Sequence, residues 1–351
     1  MPSAYPVAVR AAYAGSTVTP PTDEPRGRPL LLAVDAPSLL HRHHHARAST
    51  DLRDRGGRPA WALHGMLLQI LETVEGFTPD AVVFGLDDRA ASVRREAYPD
   101  YKAGRAEKDA TLVEQLERAG PLLGALGLRA VTPAGLEADD VSASAAAWAE
   151  ARGWRCVVVT SDRDAFAHIS EHTHVLRLIT GGVDGSPLLT PARLHAMYGV
   201  HAEHYLEYAA LRGDASDNLP GVPGIGEKAA ALLMAQVGSM QEVWADLEHC
   251  AGATVAAAVD DQCLEEGRRR AGAGLVRKLA ADGARARFDF NVGIMAGRAD
   301  VDLGLTPEVP GSPGLLPVAA DRVARAVDYL GVPSTTDLAV RVLAGGGAQR
   351  M

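Results

Sequence analysis

Arg155-Cys156-Val157-Val158-Val159-Thr160-Ser161-Asp162-Arg163-Asp164 is the stretch that decides the fold. Its apolar run has no polar alternation, so both faces must be buried, as on an inner strand of a parallel sheet. Asp162 and Asp164 stand just past its carboxyl end. The same grammar occurs twice upstream. Leu30-Leu31-Leu32-Ala33-Val34 ends on Asp35, and Ala81-Val82-Val83-Phe84 is followed by Asp87 and Asp88. Shorter strands are predicted at 128–131 and 174–179. Between them lie helical patterns: residues 61–74, with Leu63, Met66, Leu67, Ile70, Leu71 and Val74 on one face, and residues 112–126, closed by Gly127. Strands alternating with helices predict an α/β fold with a mostly parallel central sheet flanked by helices. Such sheets bind ligands outside the carboxyl ends of their strands. Asp35, Asp87, Asp162 and Asp164 all fall there.

A further acidic cluster opens the helix predicted from residue 137 to about 152. Gly135-Leu136-Glu137-Ala138-Asp139-Asp140-Val141 puts three carboxylates within four residues, and no Lys or Arg lies between Arg129 and Arg152. At 4 Å each like-charged pair costs roughly 4 kcal/mol at an effective dielectric near 20. The cluster either points into water, where the helix dipole favours it, or binds a cation. The coincidence with the other strand-end aspartates favours the cation.

The composition bounds the rest. With 351 residues, 47% hydrophobic and 23% charged, the chain has ample core for one large domain or two smaller ones. The net charge of −9 argues weakly against nucleic acid, although a carboxylate site can mask a local basic surface. Cys156, Cys250 and Cys263 have no metal spacing and fit packing roles in a reducing compartment. No run is long enough to span a membrane and no secretory pattern opens the chain. Residues 1–28, with five prolines, read as a disordered extension. His41, His43, His44 and His45 point in different directions on a helix, so a histidine metal site is disfavoured. Arg42 lies one to two turns past the first strand. The basic segment 89–108 interleaves Arg94, Arg95, Lys102, Arg105 and Lys108 with Tyr98 and Tyr101: either a solvated surface or a phosphate grip with rings for stacking.

Past residue 190 the pattern changes to short helices. Asp214 and Asp217 are spaced to face one ion. Pro220-Gly221-Val222-Pro223-Gly224-Ile225-Gly226-Glu227-Lys228 makes a tight turn into a helix whose N–H groups can hold a phosphate. Residues 264–279 read as a basic helical region, 304–317 as a Pro/Gly-rich loop, 319–330 as a helix packing back, and the end as frayed.

These strings together resemble the bacterial 5′-nucleases: the 5′→3′ exonuclease domain of DNA polymerase I and the stand-alone flap endonucleases. The resemblance rests on Val34-Asp35, Tyr101-Lys102-Ala103-Gly104-Arg105, Glu137-Ala138-Asp139-Asp140, Asp162-Arg163-Asp164 and the 213–228 stretch, in the family's order. It runs from about 29 to 290, with a weaker continuation to about 331. It implies a PIN-like catalytic domain over 29–190, with an arch or gateway over about 88–112. A helix–three-turn–helix DNA-binding subdomain would cover 191–290, and a tail with one helix 291–351.

The resemblance also implies roles. Asp35, Glu137, Asp139, Asp140, Asp162, Asp164, Asp214 and Asp217 would hold two Mg2+ ions, with Mn2+ able to substitute. Asp87 joins them by its distance from Tyr101, although the family's slot directly after the strand holds Gly85 here. Arg42, Lys102 and Arg105 would contact the reacting phosphate. Arg94 and Arg95 belong to the gateway. Gly221, Val222, Gly224, Ile225, Gly226 and Lys228 would hold duplex DNA, with K+ at the hairpin. The expected activity is Mg2+-dependent 5′→3′ exonuclease and 5′-flap endonuclease cleavage of DNA by a two-metal mechanism, in replication and repair. The enzyme would be a stand-alone cytoplasmic monomer. Two rivals are a non-catalytic binder of branched DNA, which would lack the carboxylates, and an RNA-cutting nuclease of similar sheet architecture, which would lack the hairpin.

Overall fold

The computed structural model describes residues 27–180 and 182–345. The extension read at 1–28 therefore falls almost wholly outside the described residues, as does the end of the chain past 345. Five parallel strands and one antiparallel edge form a sheet in the order β3-β2-β1-β4-β5-β6. The strands are β1 (Leu30–Asp35), β2 (Ala81–Gly85), β3 (Arg129–Val131), β4 (Arg155–Thr160), β5 (Thr173–Arg177) and β6 (Leu188–Leu189). β1 pairs with β2 on one side and β4 on the other. The continuous apolar runs follow from this. In β1, Leu31 and Ala33 enter one core and Leu30, Leu32 and Val34 the other, because successive side chains point to opposite faces.

Helices α1 (Ala36–Arg47), α2 (Trp61–Phe77) and α4 (Ala110–Leu126) cover one face. The other face is covered by α5 (Ala138–Ala151), the short 3-10 turn Asp164–His168 and the helical half of the molecule. A five-residue helix, α3 (Val93–Ala97), lies between β2 and α4. α4 ends where predicted, on Gly127 with φ of 88°.

The helical half begins with α6 (Pro191–Tyr198) and α7 (Tyr205–Arg212), then a two-stranded ladder of β7 (Gly213–Asp214) and β8 (Leu219–Pro220). α8 (Glu227–Gln236), α9 (Met240–Cys250), α10 (Ala253–Glu265), α11 (Gly272–Leu279) and α12 (Ala284–Met295) complete it. The basic region read at 264–279 is not one helix. It breaks between α10 and α11, and Arg268, Arg269 and Arg270 sit in the break, where Asp260 accepts from the Ala271 and Gly272 amides. The C-terminal segment carries two helices rather than one: α13 (Ala320–Asp328) and α14 (Pro333–Ala344). Val323, Val327 and Leu343 pack into the core shared with α2 and α4. α13 is the helix expected at 319–330, and α14 is additional, with Thr335, Ala339, Val342 and Leu343 on its buried face.

The chain runs outward from β1 to β2 and β3, then returns to β4 on the other side. The strand order therefore reverses between β1 and β4, which is where an open α/β sheet forms a crevice. Among the described residues no helix is long and apolar enough to cross a membrane.

Candidate active site

Asp35 ends β1 at this crevice. Its carboxylate caps α1 by accepting from the Ser38 amide at 3.0 Å, and accepts from the Thr160 hydroxyl at the end of β4 at 2.7 Å. Burial, reinforced by the Asp87 and Asp162 charges, outweighs those hydrogen bonds and pushes its pKa up to about 7. Asp139, on the first turn of α5, is raised by burial and then by Asp35 and Asp162, with Lys102 opposing. Asp164 is pushed to about 7 by burial, then by Asp162, Asp214 and Asp217, with Arg212 opposing. Carboxylates from the sheet and from the β7–β8 loop thus repel one another across one crevice. Asp162 accepts from the Asp164 amide, and Asp87 accepts from the Ala138 amide at 3.1 Å. Asp214 accepts from both the amide and the hydroxyl of Ser216.

Glu137 and Asp217 have cationic partners instead. Lys102 Nζ lies 2.9 Å from Glu137 and 3.7 Å from Asp217, and Arg105 donates to Asp217 at 2.6 Å. Tyr101, read as a ring for base stacking, is buried and donates its hydroxyl to Glu137 at 3.0 Å. Burial opposes the Glu137 charge, but Lys102, Arg94 and Tyr101 prevail and hold its carboxyl below the ordinary range. Lys102 adopts a left-handed φ of 58°. Such strain in a non-glycine residue costs on the order of 1–3 kcal/mol and is kept where the surroundings fix it. Here the Lys102 amide donates to the Asp217 carbonyl.

Two residues differ from the roles read for them. Asp140 is 0% exposed and its carboxylate is fully engaged. Arg94 donates to it twice at 2.8 Å, and the Glu137 and Arg298 amides donate at 2.9 and 2.8 Å. It closes the capping box of α5 and has no oxygen left for an ion. Arg94 is correspondingly not a DNA-gripping residue: it is buried, and its Nε donates to the Ile294 carbonyl. The sequence places Asp140 beside Asp139 and close to Glu137 but cannot show that an arginine 46 positions away has claimed it. The Arg298 contribution is a backbone amide, for which no side-chain signal exists.

The segment read as an arch is folded down. Tyr98 donates to the Asn218 carbonyl, Asn218 donates to the Asp100 carbonyl, and Tyr101 packs with Leu219 and Ile294. Arg95 is exposed on α3. Arg42 donates to the Ile179 carbonyl past β5, on the crevice side of α1.

The hairpin divides into builders and exposed groups. A Cβ on Gly213, at φ of 77°, would lie 2.2 Å from the Gly221 nitrogen, and one on Gly221 would lie 2.2 Å from the Arg212 carbonyl oxygen. Only glycine permits this crossing, which sets Asp214 and Asp217 at the crevice. Val222 and Ile225 are buried, and their amides bond to Leu211 and Val222 carbonyls. Gly221, Val222 and Ile225 therefore build the turn, while Gly224, Gly226 and Lys228 are exposed. Lys278, one of the basic residues of the 264–279 region, donates to the Gly224 carbonyl at 2.9 Å.

Among the described residues, no three His, Cys, Asp or Glu side chains converge into a ready metal cage. The electrostatic coupling of Asp35, Asp139, Asp162, Asp164, Asp214 and Asp217 nevertheless puts them in one neighbourhood. The two observations agree physically. Lys102 and Arg105 draw Glu137 and Asp217 aside, and the remaining carboxylates repel one another. An all-oxygen, anionic set of this kind fits a hard divalent cation that keeps several waters.

Residues 30–199 match the family model for the N-terminal resolvase-like domain of 5′-3′ exonucleases, and residues 200–282 match that of their C-terminal SAM fold. DNA polymerase I of Mycobacterium tuberculosis is 35% identical over 65% of this chain, and the thermostable DNA polymerase I of Thermus aquaticus is 39% identical over the same share. The chain covers about a quarter of each polymerase, 25% and 26%. The fold is shared with T5 5′-exonuclease, at a TM-score of 0.54 and 18% identity, covering 90% of this chain and 100% of that one. It is also shared with flap endonuclease-1 of Methanococcus jannaschii, at 0.51 and 16%, covering 91% and 93%. On the paired family models, which follow one another without a gap, the chain belongs to the 5′-3′ exonuclease family of nucleases, homologous to the exonuclease domain of bacterial DNA polymerase I.

Proposed function

We propose that this protein is a Mg2+-dependent 5′→3′ exonuclease and 5′-flap endonuclease acting on DNA in replication and repair. The carrying observation is the cluster of carboxylates with no ion pair among the described residues at the strand-order reversal: the buried Asp35 and the half-buried Asp139 and Asp164 all have raised proton affinities. Asp35, Asp87, Glu137, Asp139 and Asp162 would hold one divalent ion and Asp164, Asp214 and Asp217 a second. Asp140 acts by fixing the first turn of α5. The ions, when bound, supply Lewis acidity toward the attacking and leaving oxygens of the phosphodiester. Lys102 and Arg105 turn from Glu137 and Asp217 to the phosphate, stabilising charge that develops there. Thr160 and Ser38 hold the Asp35 carboxylate in its orientation. Gly224, Gly226 and Lys228 present donors to a duplex backbone at the N-terminus of α8. The exposed carbonyl of Gly224 faces Lys278 rather than standing open, so K+ at the hairpin needs an oxygen set other than this one. The protein acts as a cytoplasmic monomer.

The test is cleavage of 5′-flap DNA, 5′-overhang DNA and single-stranded RNA with and without Mg2+. Flap and overhang DNA are cut only with the ion, and Asp139→Asn abolishes cleavage. Binding of branched DNA without cleavage under any divalent ion would favour the non-catalytic reading instead.

A further inference from the structure

Beside Asp87, a cavity of about 220 Å3 opens between the end of β2 and α4. Leu86, Leu116 and Pro121 give it an apolar lining, and Arg89, Lys108 and Glu117 its polar rim. Its size is below the roughly 300–1,000 Å3 of sites for drug-sized molecules, and suits one planar base. Arg89 is already spent on Glu117, at 3.2 Å. Lys108 is different: it is exposed and makes no ion pair among the described residues. Desolvation, together with the charges of Arg89, Arg105 and Lys102, outweighs Asp87 and holds its ammonium below the ordinary lysine value. Of the two cations on the rim, Lys108 alone has no ion pair among the described residues, so its charge is the one open to a phosphate. An apolar floor with an uncompensated cation at its edge matches a nucleotide, which has a flat apolar ring system and a charged phosphate. The cavity also adjoins the crevice, since Asp87 contributes to the charge felt by Asp35.

We infer that this cavity receives one nucleotide of the single-stranded 5′ segment, with its base on the Leu86–Leu116 floor and its phosphate on Lys108. The inference rests on the nuclease reading above and adds a seat for the strand next to the carboxylate crevice. Asp87 repels the phosphate, so the phosphate takes the Lys108 rim and the base the floor. Stacking and apolar contact are indifferent to base identity, so the seat grips any sequence. Gly120 lies in the lining, and a Cβ there would meet Leu86 Cδ1 at 3.1 Å, so a larger side chain at 120 fills the space.

The experiment uses the full chain, with calcium replacing magnesium to hold off cleavage. A 5′-flap DNA carries 2-aminopurine at successive flap positions, and the same duplex without a flap is the control. In the native protein, one flap position changes emission on binding and its neighbours do not. Lys108→Ala and Gly120→Leu remove that signal and weaken flap binding roughly tenfold, the scale of one lost base contact. Lys108→Ala also lowers the salt slope by about 0.7, the single-strand value for one phosphate. Both leave the flapless duplex bound as before. Native flap affinity in Lys108→Ala, with the position-specific signal intact, overturns the inference. If Gly120→Leu fails to fold, by its thermal transition, Lys108→Ala decides alone because its side chain is on the surface. Failure of the nuclease reading would look different: the native protein would cut no flap in magnesium.

Discussion

Asp139 and Asp140 are chain neighbours with the same side chain, and their removal should have opposite effects on stability. Asp140→Asn keeps the shape but deletes the charge that four donors share. The new amide presents N–H groups to donors already in place, so Arg94 and at least one backbone amide lose their acceptor. Removing one partner of a buried ion pair costs about 3–5 kcal/mol. At about 2–4 °C per kcal/mol for a chain of 150–250 residues, and somewhat less for this longer one, the midpoint should fall by roughly 4–10 °C. Asp139→Asn does the reverse. Burial and the Asp35 and Asp162 charges already disfavour its ionised form, so neutralising it relieves repulsion. Its metal-free midpoint should hold or rise, while cleavage is lost. Thermal unfolding in EDTA, followed by single-turnover cleavage in magnesium below the lower midpoint, separates the two. Folded Asp140→Asn should retain measurable cleavage. An unchanged midpoint for Asp140→Asn, with cleavage abolished, would refute the assignment and return Asp140 to the metal ligands.

The other predictions concern charge and backbone. Asp35 and Asp164 have folded pKa values near 7, above the ordinary 3.8, so the folded state binds the proton more tightly. Stability from these groups is complete below pH 4 and is lost as pH rises toward 7. Denaturation in EDTA should show this decline, and magnesium should restore more stability at pH 7.5 than at pH 5; equal restoration at both would count against the ion site. Lys102→Met should lower single-turnover cleavage by about 10²–10³ while changing duplex affinity little; a pure loss of affinity would mean that Lys102 only holds DNA. Gly213→Ala should destabilise by more than about 4 kcal/mol, because the new methyl meets backbone. Gly226→Ala meets no atom within 4 Å, and chemical denaturation should find it within about 0.5 kcal/mol of native. Lys228→Ala should reduce the salt slope of duplex binding by about 0.9, as read by titration at several ionic strengths.

The fold was legible because its strands are buried on both faces. Val157, Val158 and Val159 need two cores, and only a covered parallel sheet provides them. The aspartates at strand ends were legible for the same reason, since sheet direction puts them on one edge. What pairing each carboxylate makes was not legible. Asp140 and Asp139 are equivalent in sequence, and only the arrival of Arg94 and the Arg298 amide separates them. In the hairpin, Val222 and Ile225 look like surface residues of a Gly-rich turn until the packing of α7 and α8 buries them. α14 was missed because its burial depends on a partner surface, not on its own period.

The clasp on Asp140 joins residue 94, residue 137 and residue 298 around one carboxylate. A nascent polypeptide released before position 298 would present the acidic helix start without its last donor. Full order at that helix start is thereby tied to near-complete synthesis of the chain.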